Sequence, residues 1–234
     1  MTIYVAVDDT DSLNSRGTGR LARAIAAACA EHYPVLGVSR HQLFVHDSIP
    51  YTSHNSCAVI HLAGDDRSAA NHAGAIAEEV MLGDFIEGSD PGLCWAVDAQ
   101  VTPSLVAYGQ DAQRIVLNQD RARTLARNLG ISLKGLGGTE DGVIGSLAGI
   151  GLASTKNDGR YLLCGTIRDL VEPCPVADLL AAGVDEIHTL DGRRVEEGTI
   201  EIQGKKGPLA CPIGGKAILF VDEVDGKFIP LKRN

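Results

Sequence analysis

Three carboxylates lie within four residues directly after the first apolar segment of the chain. They are Asp8, Asp9 and Asp11, and the hydroxyl residues Thr10 and Ser12 lie among and beside them. Carboxylates this close repel one another, and Mg²⁺ relieves such repulsion, since it takes one or two protein carboxylates and keeps phosphate or water oxygens as its other ligands. The segment therefore predicts a metal-bound phosphate, which we assign to a nucleotide. An acidic turn closed by Asx hydrogen bonds is the alternative.

A second candidate for phosphate binding follows at residues 15–20. Gly17 lets the backbone approach a ligand closely, and Thr18 opens a helical pattern whose free N–H groups favour a bound phosphate. Arg16 or Arg20 could add charge-assisted hydrogen bonds to that phosphate. The spacing is not that of a Walker A loop, and Thr18 as a simple helix N-cap is the alternative.

A glycine-rich segment at residues 134–145 is the third candidate, and it leads into an apolar helix. Backbone N–H groups at the helix start, with a lysine nearby, would suit a phosphate. The residues expected to bind the cofactor here are Lys134, Gly137, Gly138, Thr139 and Gly142. Glu140 and Asp141 oppose a plain phosphate cradle unless a metal lies between. A turn whose glycines serve tight helix packing is the alternative.

The loop at residues 49–56 is dense in hydrogen-bonding side chains and lies between two predicted strands. Its candidates for substrate contact are Tyr51, Thr52, His54 and Asn55. Such loops carry substrate contacts when they lie beside a site. His54 could act as an acid or a base, or it is an exposed loop histidine without such a role.

The elements that would position these residues follow from the hydrophobic pattern. The first five are predicted in the order strand, helix, strand, strand, helix, at residues 3–7, from Thr18, at 35–45, at 57–62 and at 69–81. This order is the first part of a ferredoxin-like split βαβ unit. A later helix at residues 119–128 should end at Gly130. The predicted fold class is therefore α/β, of the α+β type, with ferredoxin-like split βαβ elements.

The domain organisation is marked only weakly, since 234 residues allow one large domain or two smaller ones. A break near residue 110 would separate an N-terminal α/β part with the Asp-rich loop, residues 1–110, from a second α/β part with the glycine-rich helix start, residues 111–234. One intertwined unit is the alternative.

Composition narrows the choice of partners. The chain has 21 Lys and Arg against 30 Asp and Glu, a formal net charge of −9. An acidic protein is a poor general binder of nucleic acid, because that affinity comes mostly from neutralised phosphates; a local basic patch near the C-terminus is the alternative. The six cysteines form no C-x-x-C pair, which disfavours a zinc knuckle. No signal peptide or membrane span is visible, so we expect a cytoplasmic protein.

The four segments, in this order, resemble one family, the archaeal agmatinylcytidine synthetases of isoleucine tRNA, ATP-dependent enzymes that join agmatine to the wobble cytidine. The resemblance rests on the Asp-Asp-Thr-Asp-Ser loop at residues 8–12 with Thr18, on the Ile-Pro-Tyr-Thr run at 49–52, and on the glycine-rich stretch at 142–151. It implies a kinase-like α/β part beside the ferredoxin-like one. It also implies that ATP and Mg²⁺ bind between the Asp loop and the glycine-rich helix start.

The resemblance further implies a phosphorylated intermediate. On that basis Asp8, Asp9 and Asp11 hold metal or act on the acceptor, and Thr18 is the phospho-accepting threonine. Larger family members continue into an OB-type domain and a zinc ribbon that grip tRNA, whereas this sequence is acidic and has no zinc-ribbon cysteines.

We therefore expect an ATP- and Mg²⁺-dependent phosphotransferase or ligase whose acceptor is a small molecule. A minimal enzyme that modifies a tRNA cytidine is one alternative. A non-catalytic nucleotide- or metabolite-binding protein is the other.

Overall fold

A computed structural model describes residues 1–10, 17–49, 54–202 and 207–231. Its contacts divide the chain into two compact units, Met1–Thr155 and Lys156–Asn234. The break expected near residue 110 falls inside a helix of the first unit. The segment after that break joins the first unit because it supplies an edge strand and a core helix to it.

The first unit is built on an antiparallel sheet with helices on both faces. Its strands and α-helices are β1 (Thr2–Asp8), α1 (Thr18–Cys29), β2 (Val35–Gln42), β3 (Ser56–Ala63), α2 (Arg67–Gly83), β4 (Gly92–Val97), α3 (Pro103–Ala112), α4 (Gln119–Leu129), β5 (Ser132–Gly135) and α5 (Gly142–Ser154). The strands pair in the order β5-β4-β1-β3-β2, each antiparallel to its neighbour. The run β4-β1-β3-β2 is a split βαβ arrangement, so the predicted fold class is confirmed.

Local signals explain where several helices begin and end. The Asp66 carboxylate caps α2 by accepting hydrogen bonds from two backbone N–H groups of its first turn. The Asn118 side chain accepts from Arg121 N at 2.9 Å and caps α4. Gly130 ends α4 in the left-handed conformation with φ 62°, as the sequence predicts, because glycine adopts this conformation without a Cβ clash.

The two faces of the sheet are covered by different helices. Trp95 of β4 lies beside Val5 of β1 in the strand register, and its Nε1 donates to Asn71 of α2 at 2.9 Å. This face is therefore covered by α2, with α1 beside it. On the other face, Tyr4 and Ala6 belong to the core that α5 completes. Both faces of β1 are buried along its whole length, as its apolar sequence requires.

The central helix of this unit is α5, which is apolar all round. Eleven of its residues are buried, and a helix with this pattern has to be enclosed on all sides. The sheet encloses one side and α3 the other, where a Cβ at Gly109 of α3 would lie 2.9 Å from the carbonyl oxygen of Ala148.

The second unit has a six-stranded sheet of short strands and one short α-helix among its described residues. Its elements are β6 (Arg160–Leu163), β7 (Cys174–Pro175), α6 (Val176–Ala181), β8 (Glu186–Thr189), β9 (Thr199–Ile200), β10 (Cys211–Ile213), β11 (Lys216–Val224) and β12 (Lys227–Pro230). Strands pair in the order β10-β11-β12-β9-β7, and β8 runs parallel to β11. Leu179, Ile187 and Leu219 are fully buried in its core.

Across the described parts of the chain, no helix combines the length and the hydrophobicity that crossing a membrane requires.

Glu186 on β8 is the centre of a charge cluster in the second unit. Its carboxylate accepts from Lys216 Nζ at 2.5 Å and lies 2.9 Å from His188 Nε2. The hydrogen bond from Lys216, followed by that from His188, lowers the pKa of Glu186 to about 2. Because the pKa in an unfolded chain is about 4.3, Glu186 stabilises the fold above that pH, and this contribution is lost as the pH falls towards 2.

We expect Glu186→Gln to remove this part of the acid sensitivity. Protection of the β11 amides against hydrogen exchange, corrected for intrinsic rates, should then fall less steeply between about pH 4.3 and 2 than in the wild type. Glu197→Gln, at an exposed glutamate of the same unit, is the control and should keep the wild-type slope. An unchanged slope in Glu186→Gln would contradict the role of this cluster.

Candidate functional site

Two of the predicted segments meet at one edge of the first unit's sheet. Asp8 ends β1 and pairs with Gly92 at the start of β4. The N–H of Gly142, the first residue of α5, donates to the carbonyl oxygen of Asp90 at 2.9 Å. A Cβ at Gly142 would lie 2.6 Å from the carbonyl oxygen of Asp8. The Asp loop and the glycine-rich helix start are therefore in direct contact.

A row of glycines lets α5 lie this close to the sheet. Gly142, Gly145 and Gly149 share the face of α5 that contacts β1 and β3, since they are spaced three and four residues apart. A Cβ at Gly145 would lie 1.8 Å from Asp8 Oδ2, and one at Gly149 would lie 2.9 Å from Cys57 Sγ. The buried carboxylate of Asp8 thus packs against the first turns of α5, where the helix dipole favours a negative charge.

The Asp loop also contacts the start of α1. The Thr10 hydroxyl donates to Thr18 Oγ1 at 3.1 Å, and Thr10 is buried. Directly before Thr10, Asp9 has a positive φ of 51°, which is uncommon outside glycine and turns the chain sharply at the end of β1. The predicted residues Asp8, Asp9, Thr10 and Thr18 are therefore brought into one region.

Thr18 is the first residue of α1, and the N-cap is Gly17, with φ 84°. The alternative that Thr18 is a simple N-cap is therefore wrong, because the backbone of Gly17 already has the non-helical conformation that this position needs. No side chain of the described residues caps α1, and its first turn contains no acidic residue. The start of α1 is accordingly suited to an anion.

Arg20 follows in the same turn of α1 and reaches towards the end of α2. One guanidinium nitrogen donates to Asp84 Oδ1 at 2.8 Å. Its Nε is buried and has no hydrogen-bond partner among the described residues. Arg20 therefore has one unsatisfied donor close to the start of α1. Buried polar groups without a hydrogen-bond partner are rare.

The glycine-rich turn before α5 already holds a carboxylate. Asp90 Oδ1 accepts from the backbone N–H of Thr139 at 2.5 Å, and a Cβ at Gly138 would lie 2.0 Å from the same oxygen. Gly137 lies against the Phe85 ring instead. The turn thus has the predicted anion-binding character, but the anion is a side chain of the protein.

Lys134 lies on the opposite face of the sheet from α5. It pairs with Leu93 in the register of β4 and β5, its Nζ lies 2.6 Å from Glu78 Oε2, and the same nitrogen lies over the Trp95 ring at 5.5 Å. The structure does not bring Lys134 to the glycine-rich turn, because residues 134 and 135 of a strand project to opposite faces.

The described part of the loop between β2 and β3 is held by Asn55. Its Nδ2 donates to the carbonyl oxygen of Phe44 at 2.6 Å, and its own carbonyl oxygen accepts from Leu43 N at 2.8 Å. Asn55 therefore ties the two ends of the loop together, while His54 is exposed.

Five predicted site residues lie outside the described ranges: Asp11, Ser12, Arg16, Tyr51 and Thr52. Within the described ranges, no group of three or more His, Cys, Asp or Glu side chains is placed to hold a metal ion. Asp8 and Asp9 are the described members of the predicted metal set.

Sequence reasoning missed Asp90, Gln119 and Arg123, which all contact the glycine-rich turn. Asp90 lies in a Ser-Asp-Pro-Gly run that indicates only a chain break. Gln119 and Arg123 lie one helical turn apart on α4, and that spacing is the one signal that could have paired them.

Two buried titratable side chains in the core around α5, Cys94 and Tyr108, are not reactive at neutral pH. Burial raises the pKa of the Cys94 thiol well above its usual value, and it also raises the pKa of Tyr108. Both side chains therefore stay protonated, and neither is a candidate nucleophile.

The fold of a large part of the chain is similar to that of a tRNA agmatidine synthetase. No protein-family model matches the chain, and no curated protein does. The crystal structure of apo TiaS, an agmatidine synthetase of isoleucine tRNA, is similar over 64% of this chain and 35% of that chain, with 23% identity and a TM-score of 0.54. The complex of TiaS with its tRNA and ATP gives 24% identity over 64% and 36% of the two chains, with a TM-score of 0.55.

A tRNA fluorescent labeling enzyme is similar over the same shares of the chains, with 25% identity and a TM-score of 0.55. The similar region thus spans about a third of the length of these proteins. The likeness confirms the expected resemblance at the level of the fold, which does not by itself carry function.

We expect Gly145→Ala to displace the Asp8 carboxylate or to push α5 off the sheet. The added methyl group would overlap Asp8 Oδ2, and overpacking of this kind costs about 1–3 kcal/mol. Urea unfolding followed by the fluorescence of Trp95, the single tryptophan, measures the loss.

The matched control is Gly83→Ala at the end of α2, where an added Cβ meets nothing within 4 Å. In this variant the free energy of unfolding should equal that of the wild type or exceed it by at most about 1 kcal/mol. Equal stability of the two variants would mean that α5 is not held against Asp8 as described.

Proposed function

We propose that the first unit binds ATP and that the protein is an ATP- and Mg²⁺-dependent phosphotransferase or ligase. The observation that carries the proposal is the end of β1, where the buried Asp8 packs against the first turns of α5 and, two residues later, Thr10 bonds Thr18 at the start of α1. Strand ends beside helix starts are common phosphate sites in α/β proteins. The fold shared with TiaS, which has been crystallised with ATP and with AMPCPP, supports the same proposal.

Asp8 and Asp9 are the described residues that would hold a magnesium ion at this edge. Asp8 and Asp9 supply carboxylate oxygens at the end of β1, and two protein carboxylates are what Mg²⁺ usually takes beside phosphate oxygens. When bound, the ion would neutralise charge on the phosphates during transfer. The turn at Asp9, with its positive φ, would set the direction of the second carboxylate relative to Asp8.

Of the two predicted phosphate cradles, the start of α1 is the better one. At the glycine-rich turn, the N–H of Thr139 donates to Asp90 and that of Gly142 to the Asp90 carbonyl oxygen. At α1, no described side chain caps the helix, and Arg20 retains a buried donor. We therefore assign the phosphates to the α1 side of Asp8. Positioning and charge stabilisation would supply most of the catalysis.

The role of Thr18 as phospho-acceptor stays a proposal. Its Oγ1 accepts a hydrogen bond from Thr10, so the hydroxyl is oriented towards the Asp loop. Transfer would form a bond between Thr18 Oγ1 and the γ-phosphorus, break the bond to the ADP oxygen, and pass the hydroxyl proton to a carboxylate of the Asp loop.

We propose a small molecule as the acceptor. Most of the acidic excess of the chain lies in the first unit, and a negative surface opposes binding to nucleic acid. A tRNA acceptor is the second candidate, because the similar TiaS structures include a complex with tRNA.

Ligand-induced stabilisation tests the nucleotide site. ATP with Mg²⁺ should raise the melting temperature of the wild type, since a ligand at 100 times its Kd adds about 2.7 kcal/mol to stability. Asp8→Asn should lose most of the rise that depends on Mg²⁺. Asp65→Asn, on the exposed turn before α2, is the control and should respond like the wild type. A full Mg²⁺-dependent shift in a folded Asp8→Asn variant would remove Asp8 from the site.

Turnover assays separate the acceptors. ATP consumption should depend on an added small-molecule acceptor, and tRNA should neither bind nor stimulate at physiological salt. Binding of tRNA that weakens steeply as salt rises would instead favour the tRNA acceptor. ATP binding without turnover on any acceptor would favour a non-catalytic binding protein.

A further inference from the structure

The glycine-rich turn between β5 and α5 is gripped by side chains of α4. We propose that Arg123 and Gln119 are positioning residues for the proposed nucleotide site, through their hold on this turn and, through α5, on the Asp8 carboxylate. The inference rests on the proposed function for its effect on ATP, but the grip itself is independent of it.

Arg123 holds the residue with the least favourable backbone conformation in the turn. Its guanidinium donates to Glu140 Oε2 at 2.5 Å, and about a third of the Arg123 side chain is exposed. Glu140 has a positive φ of 64°, which non-glycine residues adopt only when their surroundings impose it. Its side chain also lies over Gly135, where an added Cβ would be 2.3 Å from Glu140 Cβ.

Gln119 holds the residues on either side of Glu140. Its Nε2 donates to the carbonyl oxygen of Thr139 and to Asp141 Oδ1, both at 2.7 Å. Its Oε1 accepts from Arg123 at 3.1 Å. Three consecutive residues of the turn are therefore bound by two side chains that lie one helical turn apart on α4.

The turn leads directly into the part of α5 that supports Asp8. Asp141 immediately precedes α5, Gly142 donates to the Asp90 carbonyl oxygen, and Gly145 lies against the Asp8 carboxylate. α5 is buried nearly all round, so it moves as a rigid element with its first turn. A change in the turn is thus passed to the carboxylate that we assign to Mg²⁺.

The same helix offers a matched control. Arg121 lies two residues from Arg123, and its guanidinium bonds Asp111 Oδ2 at 2.5 Å on the far side of the helix from the turn. It also lies over the Tyr108 ring. Arg121→Met therefore removes an exposed ion pair of the same length from α4 without touching the glycine-rich turn.

The experiment compares Arg123→Met with Arg121→Met in the full chain, with Mg²⁺ present. We expect the Kd for ATP, measured by calorimetry, to rise about tenfold in Arg123→Met, the order of effect of one charge-assisted hydrogen bond, and to stay unchanged in Arg121→Met. Urea midpoints of the two variants should match, which separates positioning from general stability. The charge reversal Arg123→Glu with Glu140→Arg should restore most of the affinity.

Hydrogen exchange measures, without any nucleotide, how firmly Arg123 and Gln119 hold the glycine-rich turn. The amides of Thr139 and Gly142 should exchange faster in Arg123→Met than in Arg121→Met. Equal exchange in the two variants, or equal Kd values for ATP, would overturn the inference. A wild type that binds no ATP would overturn the proposed function, and the exchange rates would still decide whether α4 holds the turn.

Discussion

The first unit depends on one close approach, that of α5 to the central strands of its sheet. Three glycines on one face of α5 leave no side chain between the helix and β1 or β3, so the Asp8 carboxylate and Cys57 lie where Cβ atoms would otherwise be. The helix can be apolar all round only because α3 covers its other side. The buried position of Asp8 is thus a consequence of helix packing as much as of the Asp loop itself.

The acidic residues at this edge are tolerable because they surround the positive end of a helix. Asp8, Asp90 and Asp141 all lie by the first turns of α5, where unsatisfied N–H groups and the dipole favour negative charge. Two of these carboxylates are stabilised by hydrogen bonds within the protein. Asp90 accepts from the backbone N–H of Thr139, and Asp141 accepts from the Gln119 side chain. Asp8 and Asp9, at the end of β1, are the carboxylates that we propose for the cation.

Periodicity and capping residues predict the elements of the first unit well, and the order of those elements predicts its sheet. The register of the strands, and with it the face on which each side chain lies, could not be predicted from the sequence. Lys134 looks like a phosphate ligand by its place beside the glycines, yet the pairing of β5 turns it to the other face of the sheet. The division after Thr155 depends likewise on long-range packing of α5.

The likeness to TiaS concerns the fold alone. Which helix start could bind a phosphate depends on which of its hydrogen-bond donors are already used within the protein. A glycine-rich helix start is the usual phosphate cradle, but here a carboxylate of the same chain fills it, so phosphate could enter only by displacing Asp90 against like charge. The start of α1 has no described capping side chain and no acidic residue in its first turn, and the buried Nε of Arg20 has no partner among the described residues. On this view the glycine-rich turn has become a support. It holds α5, and through α5 it holds Asp8, while we propose that the ligand binds at the start of α1.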